Sequence, residues 1–334
     1  MTSWQLLARP AAIRGVFVGA VALAIIIGVF GLFPVRSQTV TLNAPRTEES
    51  VPLDPWADIW EATAGEVVPL SAQNIAPPFG GGTVSVITAR ALHDGERLYF
   101  LVEWDDEGAD TSVAGSNLFS DAAAVQFPIG GVDAPYTMGG AGLPVNIWQW
   151  KAVWQADIDT GFETTQDRLG DTYVDEYQQQ DNPVYRTAEG AGNILAQRDR
   201  TTPVENLVAE GFGTLTTAEV QDVEGAGTWD NGQWRVLFIR DFEPADPELA
   251  SFDVGETTSV AFAVWNGNQG DRNGQKSIAP FIELQLVDET AARSVESASS
   301  NVLPAILTIA AALLVAYVVY RRTEKAVGAS DEPQ

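Results

Sequence analysis

Thr83-Val84-Ser85-Val86-Ile87-Thr88-Ala89-Arg90-Ala91 and Arg97-Leu98-Tyr99-Phe100-Leu101-Val102-Glu103-Trp104 flank the short polar run His93-Asp94-Gly95-Glu96. Both flanks alternate and are rich in β-branched and aromatic side chains, and Asp-Gly supplies the positive backbone angles of a tight turn. The three pieces therefore predict a β-hairpin. His93, the only histidine, falls at the edge of that turn and is expected to be exposed.

The same pattern extends outward. Ala122 to Phe127 is a further short apolar strand, and Asn146 to Gln155 alternates. In that second stretch Trp148, Trp150, Ala152 and Trp154 share one face, while Gln149, Lys151 and Gln155 share the other with Val153. Residues 161–213 are polar and are read as long connections with a short helix. Strands resume over 213–220. Asp230-Asn231-Gly232 opens a hairpin into Gln233 to Arg240, and Thr257 to Asn266 and Ser277 to Val287 follow. Short strands separated by Gly- and Pro-rich turns predict a mainly β domain, an antiparallel β-sandwich over residues 56–292. No internal repeat is evident.

Composition narrows the chemistry. The 334 residues include no cysteine. That excludes covalent c-type haem, cysteine-ligated iron–sulfur clusters and cysteine zinc sites. A single histidine excludes bis-histidine haem and His-rich metal centres. The net charge is −26 with only three lysines, Lys151, Lys276 and Lys325, so nucleic acid is not the partner. Six of the 19 Lys and Arg and three of the 45 Asp and Glu lie outside residues 37–300, which leaves that stretch at −29. We read this acidity as adaptation to high salt, with attraction of a cationic partner as the other reading.

Two uncharged runs bracket the acidic domain. Residues 15–35 and 302–320 each have the length and composition of a transmembrane helix. Arg9 and Arg14 precede the first; Arg321, Arg322 and Lys325 follow the second. The positive-inside rule then places residues 1–14 and 321–334 in the cytoplasm and the domain outside, joined to its helices by linkers 36–55 and 293–301. A cleaved signal peptide is the other reading of the first run.

Two residues stand out as candidate ligands. Met138 is the only methionine after Met1 and lies in Tyr136-Thr137-Met138-Gly139-Gly140, a loop rather than a strand. A lone methionine is most often a core filler. In a loop with two glycines that let a flat group approach the backbone, it also suits a thioether presented to a metal. Lys276 ends the Gly/Asn-rich loop Gly267 to Gln275, just before an apolar strand. Loop lysines are mostly solvated, but a lysine kept in so lysine-poor a chain is a candidate. Lys151, on the polar face of its strand, is the comparison.

Several of these stretches also resemble a family. Phe262-Ala263-Val264-Trp265-Asn266-Gly267 followed by Gly274-Gln275-Lys276-Ser277 resembles the C-terminal signature of the haem b-binding gamma subunits of ethylbenzene dehydrogenase, dimethylsulfide dehydrogenase and the selenate and chlorate reductases. Trp56 to Trp60, Asp121 to Pro128, and Tyr136 to Gly139 running into Trp148 to Lys151 fit the same pattern. The resemblance covers residues 50–290. It implies a β-sandwich holding one non-covalent haem b, with Met138 and Lys276 as the axial iron ligands. The residue count agrees, because a methionine and a neutral lysine are the strongest iron ligands left in this chain. It further implies a non-catalytic electron-transfer subunit. Its partners would be a molybdopterin catalytic subunit, an iron–sulfur subunit and a quinone-linked or cytochrome partner. The two apolar runs depart from the soluble members. The alternative is an extracellular carbohydrate-binding or sensory β-sandwich without haem.

Overall fold

The computed structural model describes residues 40–131, 134–171 and 186–290. Both apolar runs, 15–35 and 302–320, lie outside them; among the described residues no helix is long and apolar enough to cross a membrane.

The domain is mainly β. Its strands are β1 (Thr41–Arg46), β2 (Glu66–Pro69), β3 (Ser71–Ala72), β4 (Val86–His93), β5 (Arg97–Asp105), β6 (Ala122–Pro128) and β7 (Val145–Lys151). They continue with β8 (Val204–Ala209), β9 (Thr216–Thr217), β10 (Glu224–Asp230), β11 (Gln233–Asp241), β12 (Thr257–Trp265), β13 (Ser277–Ile278) and β14 (Ile282–Thr290). Hydrogen bonds connect eleven of them in the path β10-β11-β5-β4-β1-β14-β12-β6-β7-β8-β9, with β2 beside β4 and β13 between β12 and β3. The expected β4–β5 hairpin forms, with His93 opposite Leu98. So does the β10–β11 hairpin, whose turn has Asn231 and Gly232 at positive φ.

β12 belongs to both halves of this path. Thr257 to Val260 pair with β14, and Ala261 to Trp265 pair with β6. The halves fold onto each other there, and period-two side chains meet between them. Phe100 of β5 packs 5.6 Å from Phe127 of β6 and 6.2 Å from Trp148 of β7. Trp150 lies 6.4 Å from Trp104 and 4.9 Å from Trp234. These rings are almost wholly buried. At about 150–250 Å² of buried surface per aromatic, they dominate the core.

Each layer also has an outer face. On the β4-β5-β11 side, Leu92, Tyr99, Leu101, Leu237 and Ile239 are covered by Val51 and by Trp60 of the short helix α1 (Asp58–Ala62). Charged partners seal its edge: Arg235 reaches Glu61 at 3.0 Å and stacks on Trp56 at 4.4 Å, and Arg90 reaches Glu103 at 2.8 Å. On the β6-β7-β8 side, Val145, Ile147, Leu207, Ala209, Ala124 and Trp265 form a second apolar patch under Met138 and Leu143.

Four expectations are corrected. β1 falls in the stretch read as a linker; it pairs in parallel with β14 and, through Arg46, with β4. The sheet is therefore not purely antiparallel, and a partner for β1 as far along the chain as Glu283, opposite Thr41, leaves no local trace in the sequence. β8 lies in the stretch read as connections; Glu205 and Asn206 break its apolar pattern, yet both are buried and bonded. The strand after Asn146 stops at Lys151, where Ala152 N and Val153 N turn to Asp121 O and Ser120 Oγ, and α2 (Ala152–Thr160) begins. Trp154 thus sits on a helix. Finally, His93 is buried: β4 runs two residues past Ala91, and the ring Nε2–H donates to Val287 O at 3.0 Å.

Candidate functional site

The outer face of the β12-β6-β7-β8-β9 layer carries a cavity of about 560 Å³. Its floor follows from strand register. Ala263 opposes Ala124, Ala124 opposes Gln149, and Gln149 opposes Glu205; in the next row Ala261 opposes Gln126 and Ile147 opposes Leu207. Three small residues, Ala124, Ala261 and Ala263, leave the middle of the sheet bare, so depth is written into the sequence as alanine at outward positions. Ile75, Tyr136, Leu195, Phe212 and Leu215 ring the mouth and stay more than one-third exposed.

Two loops carry the candidate ligands into this space. Met138 sits between β6 and β7 with φ of 68°, a left-handed conformation uncommon for a residue with a Cβ. Its carbonyl accepts from Gly211 N at 2.7 Å, and Gly139 N donates to Pro135 O at 2.9 Å. Gly139 is needed here for a different reason from the one expected. A Cβ on it would lie 2.6 Å from Leu143 O and 2.9 Å from Ala209 O. The glycine lets the loop close on its own protein, not on a flat ligand.

Lys276 is held equally firmly. Its N–H donates to Gly80 O at 3.1 Å and its carbonyl accepts from Gln73 N at 3.0 Å. Gly81 presses against it so closely that a Cβ would lie 2.2 Å from Lys276 N. The loop before it is built rather than solvated: Trp265 Nε1 donates to Asn273 O at 3.0 Å and Gly267 N to Asp121 Oδ1 at 2.7 Å.

The structure brings the two residues together. Lys276 Nζ lies 3.9 Å from Met138 Sδ and 4.8 Å from the centre of the Trp265 ring. Lys276 is 9% exposed, and among the described residues its Nζ meets no oxygen acceptor. Burial pushes its pKa down to about 8, because a low-dielectric site without a counter-ion penalises the ammonium. Once it gives up its proton, the amine and the thioether it faces form a donor set for a transition metal. Two first-row metal–ligand bonds end to end span about 4.4 Å. The observed gap therefore accommodates one ion after about half an ångström of side-chain movement. Among the described residues there is no cluster of His, Cys, Asp and Glu suited to a metal.

Lys151 does lie opposite Trp148 and Trp150, as expected. That face, however, is the cavity wall and not free surface. Lys151 is ion-paired with Glu205, and its Nζ sits 4.1 Å from the centre of the Trp154 ring. Desolvation lowers its pKa while Glu205 acts against that shift. Sequence reading missed Glu205 altogether; only the register of β7 on β8 brings it to Lys151.

Comparison of the sequence with known proteins finds relatives named as subunits of reductases and dehydrogenases. A respiratory nitrate reductase heme subunit, as it is named, from Haloferax mediterranei is 28% identical over 235 residues, which cover 70% of this chain and 68% of that protein. The gamma subunit of chlorate reductase from Ideonella dechloratans is 25% identical over 60% of this chain and 64% of its own length. The gamma subunit of dimethylsulfide dehydrogenase from Rhodovulum sulfidophilum is 27% identical over 55% and 54%. Among solved structures, a family 9 carbohydrate-binding module from Caldicellulosiruptor kristjanssonii in complex with glucose aligns with 75% of this chain and 96% of that one, at 9% identity and a TM-score of 0.36. The family model described as ethylbenzene dehydrogenase matches residues 57–277, well over half of the sequence. The chain belongs to the ethylbenzene dehydrogenase family, alongside the heme and gamma subunits of these reductases and dehydrogenases.

Proposed function

We propose that this chain is a haem-binding electron-transfer subunit, with Met138 and Lys276 as the axial ligands of one non-covalent haem b. The observation that carries the reading is the buried Lys276 amine, without an oxygen partner among the described residues, facing the Met138 thioether at 3.9 Å in the cavity. The absence of cysteine leaves axial bonds and packing as the means of retention. The relatives' names, heme and gamma subunits of reductases and a dehydrogenase, support a place in a multi-subunit oxidoreductase; its partners in this reading are a molybdopterin catalytic subunit, an iron–sulfur subunit and a quinone-linked or cytochrome partner. The domain would sit on the outer face of the membrane between helices 15–35 and 302–320, with both termini cytoplasmic.

When bound, the haem supplies a one-electron iron couple. The chain's own residues do the rest. Lys276 offers a neutral amine at little protonic cost because burial has already lowered its pKa. Met138 offers a soft donor that favours the reduced metal and raises the potential. The alanine floor and apolar rim exclude water from the ligand's faces. Substrate chemistry stays with the partner.

The test is reconstitution of the full chain with haem b. Wild type should give a low-spin spectrum. Met138→Ala should keep the fold and shift toward high spin or a lower potential. Lys276→Ala should do the same or lose haem. An unchanged low-spin spectrum and potential in Lys276→Ala would end the ligand assignment.

A further inference from the structure

The cavity holds two of the chain's three lysines in opposite electrostatic settings. Among the described residues Lys276 has no carboxylate partner. Lys151, at the far end of the Trp265–Ala122–Lys151 row, is bound to a buried one. Adjacent strands lie about 4.8 Å apart, so Lys151 stands roughly 10 Å across the sheet from Trp265, over which Lys276 lies.

Glu205 is 3% exposed and is itself tethered, accepting from Thr217 Oγ1 at 2.7 Å on its other oxygen. One N–H of the Lys151 ammonium goes to Glu205, and the Trp154 ring covers a second side. Among the described residues Lys151 Nζ meets no second oxygen. A pair held this way stays ionised in a low-dielectric wall and still has an N–H to give. Buried ion pairs seldom add net stability compared with apolar packing. The placement of this one on a ligand cavity therefore calls for a different role.

We propose that Lys151 is the carboxylate-recognising end of the cavity: its remaining N–H takes an acidic arm of the bound ligand, while Glu205, tied by Thr217, holds the ammonium in position. The inference rests on the haem reading, since haem b is a flat apolar body with two carboxylate arms away from its metal. It assigns Lys276 and Met138 to the metal and Lys151 to the periphery. Glu205 limits the pull of Lys151 on any anion. Removing its charge should thus tighten the grip on a carboxylate, provided Lys151 keeps its place.

The test compares haem b with its dimethyl ester, in which both carboxylates are capped. The full chain is loaded with each, and the rate of loss to an excess of apoglobin is measured. A charge-assisted hydrogen bond corresponds to about a 10- to 100-fold change. Wild type should release the ester that much faster than haem b. Lys151→Met should release both at the faster rate with the axial-ligand spectrum intact, and Lys151→Arg should restore the preference. Glu205→Gln should retain haem b as long as wild type or longer. The double variant Lys151→Met/Glu205→Gln leaves no buried charge unpaired and should lose the preference even if the single lysine variant misfolds. If the lysine variants keep the wild-type preference for haem b, Lys151 is not the anchor, although the axial reading stands. If wild type binds neither compound, both readings fall together.

Discussion

The two outer faces of this protein start from similar material and finish differently. Leu92, Tyr99, Leu101, Leu237 and Ile239 on one face are large, and Trp60 from α1 lies over them, fully buried, with Arg235 bridging Glu61 and Trp56 at its margin. On the other face the central outward positions are alanines, and the covering loops hold Met138 and Lys276 above them without filling the gap. The first face converts apolar area into stability. The second forgoes part of that area to keep a cavity with two placed donors. The difference lies in residue size at outward strand positions and in whether the covering segment brings an aromatic side chain or a candidate metal donor.

This contrast breaks most visibly at Trp60. Trp60→Ala empties a fully buried site and should cost about 3–5 kcal/mol in unfolding free energy, measured by denaturant titration. The haem-loaded spectrum of the folded fraction should not change. A spectral change at native conditions would mean that the two faces are coupled and the division is false.

Ala263→Phe tests the open face from the other direction. Ala263 is only partly buried and its Cβ looks into the cavity, so a larger ring has room there without disturbing the core. Haem retention should fall about 10- to 100-fold, equivalent to about 1.4–2.7 kcal/mol, while the apo-protein's stability holds or rises. Loss of stability with retention unchanged would show that the alanines pack the protein and do not floor a site.

The same contrast explains what was legible in the sequence. The β4–β5 and β10–β11 hairpins were, because alternation and Asp-Gly or Asn-Gly turns are local signals. β1 was not: its partner β14 is a parallel strand at the other end of the domain. β8 hid behind Glu205 and Asn206, whose burial depends on partners in β7 and β9. Met138 and Lys276 stood out through scarcity and loop setting. Lys151 was equally scarce, but its role depends on a cross-strand neighbour and a cavity that no local pattern encodes. Scarcity marked the two candidate ligands; the pairing of strands distant in sequence, which no local pattern encodes, determined the rest of the site.

His93 gives the smallest effect and the finest distinction between the halves. It is buried at the end of β4, its Nε2–H donates to Val287 O, and its ring lies 5.7 Å from that of Phe242. Burial lowers its pKa below the usual 6.5, and nearby Arg46 lowers it further against the opposing pull of the Val287 carbonyl, Asp288 and Asp94. With the folded value depressed, the unfolded chain takes up the proton first. The contribution is therefore fully present above about pH 6.5 and is lost as pH falls through the folded pKa. His93→Gln keeps an N–H donor for Val287 but does not titrate. Between pH 7 and 5 the wild type should lose more unfolding free energy than the glutamine variant. The carboxylates they share cancel in the difference. Denaturant titrations of both proteins across that range provide the measurement, and parallel pH profiles would refute the assignment. Because His93 belongs to the layer opposite the cavity, the haem-loaded spectra of the two proteins should coincide at every pH in the series. A difference there would tie His93 to the site after all.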